Sequence, residues 1–290
     1  MSEHHSPVSD LFQVVRSATE SCEYELDGSQ IEFFNEHGYV KGIRLFTDTQ
    51  VESLRKELAG FLNPQHPGCE LWYEYHSNES SEPDAMLFHA LGAWRIAAGC
   101  HDALWNPAFT IPASQLLGGA VRFWHDQLFC KPARQGGVVA WHQDYSYWTR
   151  TGPMAHLTCW IGLDDTNIDN GCLHYVPGSH RWKLLPTTEL AGDMEGIKKI
   201  LTAEQWSRFQ NPEPVEMKVG EASFHHPLTM HGSFANRSAH PRRAIVINVV
   251  RNGVKSLSDE PLLEGTDVIP QGHPLGGRFY PLLFDPDQRT

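Results

Sequence analysis

The chain has 290 residues, with 35 Asp and Glu against 23 Lys and Arg, and a formal net charge of −12. So acidic a balance excludes nucleic acid or an anionic membrane as the main partner, because both need a basic surface. At 40% hydrophobic and 20% charged residues the composition is globular, not disordered, and the length allows a sizeable core.

Residues 1–27 are polar and patternless and read as a flexible N-terminal arm with a short helix near Leu11 to Val15. Residues 29–37 read as a helix closed by Gly38, the usual left-handed C-terminal cap. A strand is expected over 39–46. Thr47 and Gln50 then form a capping box for a helix with Val51, Leu54, Leu58 and Phe61 on one face. Residues 63–84 carry three prolines and loop chemistry, and a loop this long in a compact domain is usually functional. Short helices are expected near 86–104 and 112–117.

From Ala120 the pattern changes to short apolar runs separated by Gly, Pro and Asn. Strands are expected at 121–129, 138–142, 156–163, 172–176, 215–218, 222–226 and 244–250, with a helical insert at 187–212. Many short strands at turn spacing indicate a β-sandwich or barrel. The predicted organisation is one domain over 28–290. It is mainly β with flanking helices (α+β), with a helical layer over 28–118, a β core over 120–250 and a C-terminal extension over 251–290. Its Pro- and Gly-rich segment 268–284 is expected to pack on the barrel or on a second subunit.

The six cysteines (22, 69, 100, 130, 159 and 172) form no Cys-x-x-Cys pair and read as reduced thiols. The N-terminus lacks a secretory pattern, no apolar run is long enough to span a membrane, and the C-terminus is not Ser-Lys-Leu. A cytoplasmic monomer or homodimer acting on a small molecule is expected.

The chemistry concentrates at His142 and Asp144. On an extended backbone, side chains i and i+2 share a face, so an imidazole and a carboxylate reach one point together. His231, after another apolar strand, supplies a third donor. Two His and one carboxylate on one face of an octahedron form the ligand set of non-haem Fe(II) oxygenases. Arg242 follows on the next strand and is suited to grip a carboxylate by paired N–H bonds. Arg243 alternates to the other face. His225 and His226 are further ligand candidates, less favoured because His231 already completes the set. Most of the remaining histidines read as surface or structural residues.

In order along the chain stand Gln30 through Val40, His142-Gln143-Asp144 with its aromatic tail, and Asn170-Gly171-Cys172-Leu173 with Pro177-Gly178-Ser179-His180. Phe224-His225-His226-Pro227 follows, leading through His231-Gly232-Ser233 to Arg242. In these segments the chain resembles the phytanoyl-CoA dioxygenase family of Fe(II)/2-oxoglutarate oxygenases, over roughly residues 30–250. The resemblance implies a double-stranded β-helix, a cupin-like jelly-roll barrel. It implies Fe(II) held by His142, Asp144 and His231, with 2-oxoglutarate as co-substrate and O2 as oxidant. Arg242 would take the distal carboxylate of 2-oxoglutarate, helped by Ser233 and Trp160, with Gln127 and Lys131 nearby. The implied reaction hydroxylates a C–H bond and releases succinate and CO2. Halogenating relatives lack the carboxylate ligand, so Asp144 points to hydroxylation.

For the substrate, the expected walls are the loop 63–90 with Tyr145, Tyr147, Trp148, Phe123 and Arg95. Phe123 is placed there because it stands four residues before Gln127 on the same strand. Aromatic walls suit an apolar or a cationic substrate. Two rivals remain at the level of sequence: a metal-binding barrel without turnover, and a metal-dependent isomerase or hydrolase. Neither needs Ser233 and Arg242 together.

Overall fold

The computed structural model describes residues 4–13, 18–188, 190 and 192–288. Among the described residues there are six α-helices: α1 Ala18–Cys22, α2 Gly28–His37, α3 Asp48–Phe61, α4 Ala98–Asp102, α5 Pro107–Leu117 and α6 Ala203–Phe209. The first eight strands are β1 Tyr39–Arg44, β2 Glu74–His76, β3 Phe88–Leu91, β4 Val121–Lys131, β5 Val139–His142, β6 Thr151–Gly152, β7 His156–Gly162 and β8 Leu173–Tyr175. The other six are β9 Glu213–Pro214, β10 Glu221–His225, β11 His231–Ser233, β12 Arg242–Arg251, β13 Lys255–Ser256 and β14 Leu282–Phe284.

The large sheet runs β1-β10-β7-β12-β4-β3-β2, with β14 also on β4, and the small sheet runs β5-β11-β8-β9. All named strand pairs are antiparallel. The two sheets form a jelly roll that stays open and does not close into a continuous barrel.

Strand alternation decides what each face does. Leu157, Cys159 and Ile161 of β7, Ala222 and Phe224 of β10, and Ile245, Ile247 and Val249 of β12 join one core with Val51, Leu54, Leu58 and Phe61 of α3. Their neighbours Thr158, Trp160, His225 and Val246 face the other way and line a cavity shared with the small sheet. Apolar side chains thus bind the helical layer, and the intervening residues are free for chemistry. The outer face of the small sheet is covered by residues 182–209, where Trp141, Ile197, Phe209 and Met230 pack together.

The capping box on α3 forms as expected, with Thr47 and Gln50 exchanging side-chain and backbone hydrogen bonds. Gly38 caps α2 at φ 84°. A Cβ there would lie 2.4 Å from His180 Nδ1 and 2.6 Å from Thr229 Oγ1, so the position needs both the left-handed backbone and the missing side chain.

Several expectations are corrected. Within 86–104 a strand, β3, precedes the short α4. Its apolar run satisfies either pattern, and pairing with β4 decides it. Residues 215–218 form only an isolated bridge, Thr166 to Met217. Among the described residues of the insert 187–212, the helical parts are a 3-10 turn, Gly196–Lys199, and α6. Residues 11–13 are not helical, and 14–15 lie outside the described residues. The described part of 1–27 is anchored: Val8 N and Ser9 N each donate to Asp102 at 2.7 Å, and Phe12 is buried in the main core. The C-terminal extension packs on the large sheet, Leu282 pairing with Arg122. Among the described residues no helix is long and apolar enough to cross a membrane.

Candidate active site

His142 ends β5 and stands directly opposite His231 at the start of β11, ring centroids 4.1 Å apart. Gln143 keeps an extended backbone (φ −114°, ψ 127°), so Asp144 returns to the face of His142 before the chain enters a 3-10 turn, Asp144–Tyr147. His142 Nε2 and His231 Nε2 lie 3.4 Å and 3.6 Å from Asp144 Oδ1. Ligand atoms on one octahedral face, with bonds of about 2.1 Å, are about 3 Å apart, so the three donors match a metal's reach.

Each donor is held from behind. His142 Nδ1 donates to Ala140 O at 2.7 Å and His231 Nδ1 to Thr229 O at 3.0 Å. Both tautomers therefore leave Nε2 with a free lone pair. Asp144 is split in role. Its Oδ2 accepts from Thr158 Oγ1 at 2.6 Å and His225 Nε2 at 2.9 Å, while Oδ1 faces the two imidazoles. With the carboxylate as acceptor, His225 Nδ1 accepts from the Tyr175 hydroxyl at 2.8 Å, and Tyr175 contacts Ser223 Oγ at 2.8 Å. His225 therefore steadies the carboxylate.

Burial pushes the Asp144 carboxyl up, but His231, His142 and His225 more than reverse this and hold it well below the usual range. Burial and the neighbouring His142 hold His231 well below its ordinary value, against the pull of Asp144. A carboxylate and a neutral imidazole are the forms a metal needs.

Some distance along the cavity lies Arg242, 1% exposed, at the start of β12. Its Nη2 donates to Ser233 Oγ at 3.0 Å and its guanidinium sits 5.3 Å from the Trp160 ring centroid. Its Nε has no partner and no described acidic side chain pairs with it. Burial lowers its pKa to about 10. A buried guanidinium without a counter-charge is costly, and a carboxylate bound beside it removes the cost. Arg243, on the other face, is instead paired with Asp164 at 2.7 Å.

The cavity, about 460 Å³, is lined by His142, Asp144, His231, Arg242, Ser233, Trp160, Gln127, Tyr147 and Trp148 among others. Lys131 stands just behind it, fully buried, donating to Ser233 O at 3.1 Å, to Phe234 O at 2.6 Å and to Ser233 Oγ. In the 3-10 turn residues i and i+3 eclipse, which brings Tyr147 over the side of Asp144. Tyr145 turns away, its hydroxyl donating to Thr151 O at 2.8 Å.

Phe123 and Arg95 need correcting. Val249 pairs with Phe123 but Asn248 with His125, a bulge that gives β4 one extra residue. It reverses the alternation, so His125, Gln127 and Phe129 line the cavity while Phe123 packs outward, 5.0 Å from Trp94. Trp124 takes the place expected for Phe123. Arg95 donates to Leu71 O at 2.6 Å and stacks on Tyr73 and Phe279, away from the cavity lining.

His225, a ligand candidate by sequence, instead supports Asp144 together with Thr158, a polar residue inside the buried run of β7. Glu74, Glu79 and His89 come from the expected loop 63–90. Leu262 and Leu263 come from the C-terminal extension, and nothing local marks them.

Two antiparallel sheets around a His-Asp-His cluster match the donor arrangement of a jelly-roll site of the 2-His-1-carboxylate type. The phytanoyl-CoA dioxygenase (PhyH) family profile matches residues 34–244. A phytanoyl-CoA dioxygenase of Arabidopsis thaliana is 31% identical over 266 residues, covering 78% of this chain and 89% of that protein. The L-proline trans-4-hydroxylase of Streptomyces griseoviridis is 25% identical over 241 residues, covering 75% of this chain and 84% of that protein. The solved structure of the non-heme alpha ketoglutarate dependent carbocyclase SnoK from nogalamycin biosynthesis superposes with a TM-score of 0.71 at 22% identity, over 89% of this chain and 97% of that one. EctD from S. alaskensis gives 0.64 at 19% identity, over 85% and 83%. These two structures share the fold.

The chain belongs to the phytanoyl-CoA dioxygenase family. It is a non-haem dioxygenase that uses Fe(II), 2-oxoglutarate and O2.

Proposed function

We propose that His142, Asp144 and His231 hold the Fe(II), that Arg242 clamps the distal carboxylate of 2-oxoglutarate, and that the reaction hydroxylates a C–H bond of a small organic substrate. The observation that carries this is the pairing, on one cavity, of a three-donor cluster with a buried guanidinium that lacks an acidic partner. A sensor barrel, an isomerase or a hydrolase has no need of that guanidinium.

Bound Fe(II) supplies the oxidising chemistry, with succinate and CO2 released from the co-substrate. The protein's residues do the rest. Asp144 offers Oδ1 alone because Thr158 and His225 occupy Oδ2, which keeps the ligand count at three. Arg242 and Ser233 orient the co-substrate carboxylate, Trp160 and Gln127 wall it, and Lys131 fixes Ser233 from behind. Tyr147 and Trp148 form the substrate wall and exclude water. Because Asp144 is a carboxylate, no position is left for halide.

Residues 28–290 are assigned to one oxygenase domain preceded by an arm over 1–27. The acidic surface and free thiols suit a cytoplasmic monomer or homodimer without a nucleic-acid or membrane partner. Anaerobic addition of 2-oxoglutarate to the Fe(II) protein tests the reading. A weak visible charge-transfer band is expected, and it should be lost in Asp144→Ala. A band that persists unchanged in that variant rejects the ligand assignment.

A further inference from the structure

A second part of the cavity lining carries the opposite sign from Arg242. Glu74 of β2, Glu79 in the following loop and His89 of β3 bring their ligating atoms within 4.8 Å of one another, and all three line the cavity. His89 is 3% exposed. Its Nδ1 lies 2.8 Å from Glu79 Oε2, its ring stacks on Phe129 at 4.4 Å, and its Nε2 has no hydrogen-bond partner. Glu79 is largely buried, and among the described residues its one ion partner is this imidazole. Among the described residues of the lining, Arg242 is the one lysine or arginine, and the proposed function commits it to the co-substrate. Among the described residues, the part left for substrate therefore holds two carboxylates and no lysine or arginine.

We propose that Glu79, with Glu74 at the rim, binds a protonated amine on the substrate and holds a C–H bond of that molecule toward the His142-Asp144-His231 cluster. This rests on the oxygenase reading and names its substrate class. A largely buried carboxylate with no lysine or arginine beside it among the described residues favours a cation that restores the charge balance. Tyr147, whose ring centroid is 6.0 Å from that of His142, lines the same wall and offers its face to the ammonium group. Burial raises the Glu79 carboxyl, but His89, His76 and His142 bring it below its ordinary value, so it is ionised at neutral pH. A coenzyme A thioester, with its several anionic phosphates, finds no lysine or arginine among the described residues here.

The test uses matched probes that differ only at one end: phenethylamine, 2-phenylethanol and 3-phenylpropanoate, and hexylamine, hexanol and heptanoate. Their binding to the anaerobic Fe(II)–2-oxoglutarate protein is read from the perturbation of the charge-transfer band. Each amine is expected to bind at least about tenfold more tightly than its alcohol and its carboxylate. The isosteric Glu79→Gln is expected to abolish that preference, and Glu74→Gln, at the exposed rim, to weaken it less. Equal or weaker binding of the amines by the wild-type protein overturns the proposal. So does a second equivalent of Zn2+ bound tightly by wild type and lost in Glu79→Gln, which would make this corner a metal site. Absence of the band with 2-oxoglutarate alone would sink the oxygenase reading instead, so the two failures are told apart.

Discussion

The two ends of the cavity are built differently. The Arg242 end is made by paired strands of the large sheet, with β12 locked to Lys131 of β4 on one side and to β7 on the other. Its cation is buried, and its immediate contacts are a serine and a tryptophan. The Glu79 end is made by an edge strand and a loop, is anionic, and opens toward solvent through Glu74. Rigid ladders hold the part of the site that serves a fixed co-substrate, and loop chemistry supplies the part that selects a substrate.

The comparison can be broken most forcefully between the two ends, at the cluster both serve. Asp144→Ala is expected to cut 2-oxoglutarate-dependent succinate release by at least about a thousandfold, the several kcal/mol a bound metal supplies. Turnover near wild type would remove the basis for contrasting the ends at all. Arg242→Met is expected to raise the KM for 2-oxoglutarate by about 30- to 150-fold, the roughly 2–3 kcal/mol of a charge-assisted contact, and to leave amine selectivity alone. A change in selectivity without a change in co-substrate KM would reverse the assignment of the ends. Thr158→Val removes one of two bonds to Asp144 Oδ2 and is expected to weaken Fe(II) binding by about tenfold, measured by metal titration.

The smallest effect concerns stability. Burial lowers His125 and His226 to about 4 and His156 to about 3. These are bases whose folded pKa lies below the unfolded value, so the unfolded chain takes up protons that the fold refuses. Stability is full above the unfolded pKa near 6.5 and falls as pH drops from there toward 4. Each such His contributes a slope of about 1.4 kcal/mol per pH unit within that window. Denaturant titrations at pH 7 and pH 5 check it, and stability that is flat or rises toward pH 5 contradicts it.

How much of this the sequence disclosed follows from the range of the forces involved. His142 and Asp144 were legible because i and i+2 share a face, and Gly38 and the Thr47–Gln50 box because caps are local. Phe123 was misplaced because a single bulge opposite Asn248 and Val249 leaves no mark in the residues it displaces. Residues 88–91 fit a helix as well as a strand, with Phe88, Ala90 and Leu91 apolar, until pairing with β4 decides. The convergence of Leu262 and Leu263 on the cavity depends on where the C-terminal extension comes to rest, which no local pattern encodes.

Gly38 carries a consequence beyond its role as a helix cap. Its carbonyl accepts from Thr229 Oγ1 at 2.7 Å and from His226 N at 2.9 Å, and the carbonyl of Thr229 accepts from the ring of His231. The end of α2 is thus the mount on which one imidazole is aimed. Any residue larger than glycine there would push on Thr229 and tilt that ring from outside the cavity. A survey ranking positions by nearness to the three donors would overlook it and mistake the lost activity for a folding defect.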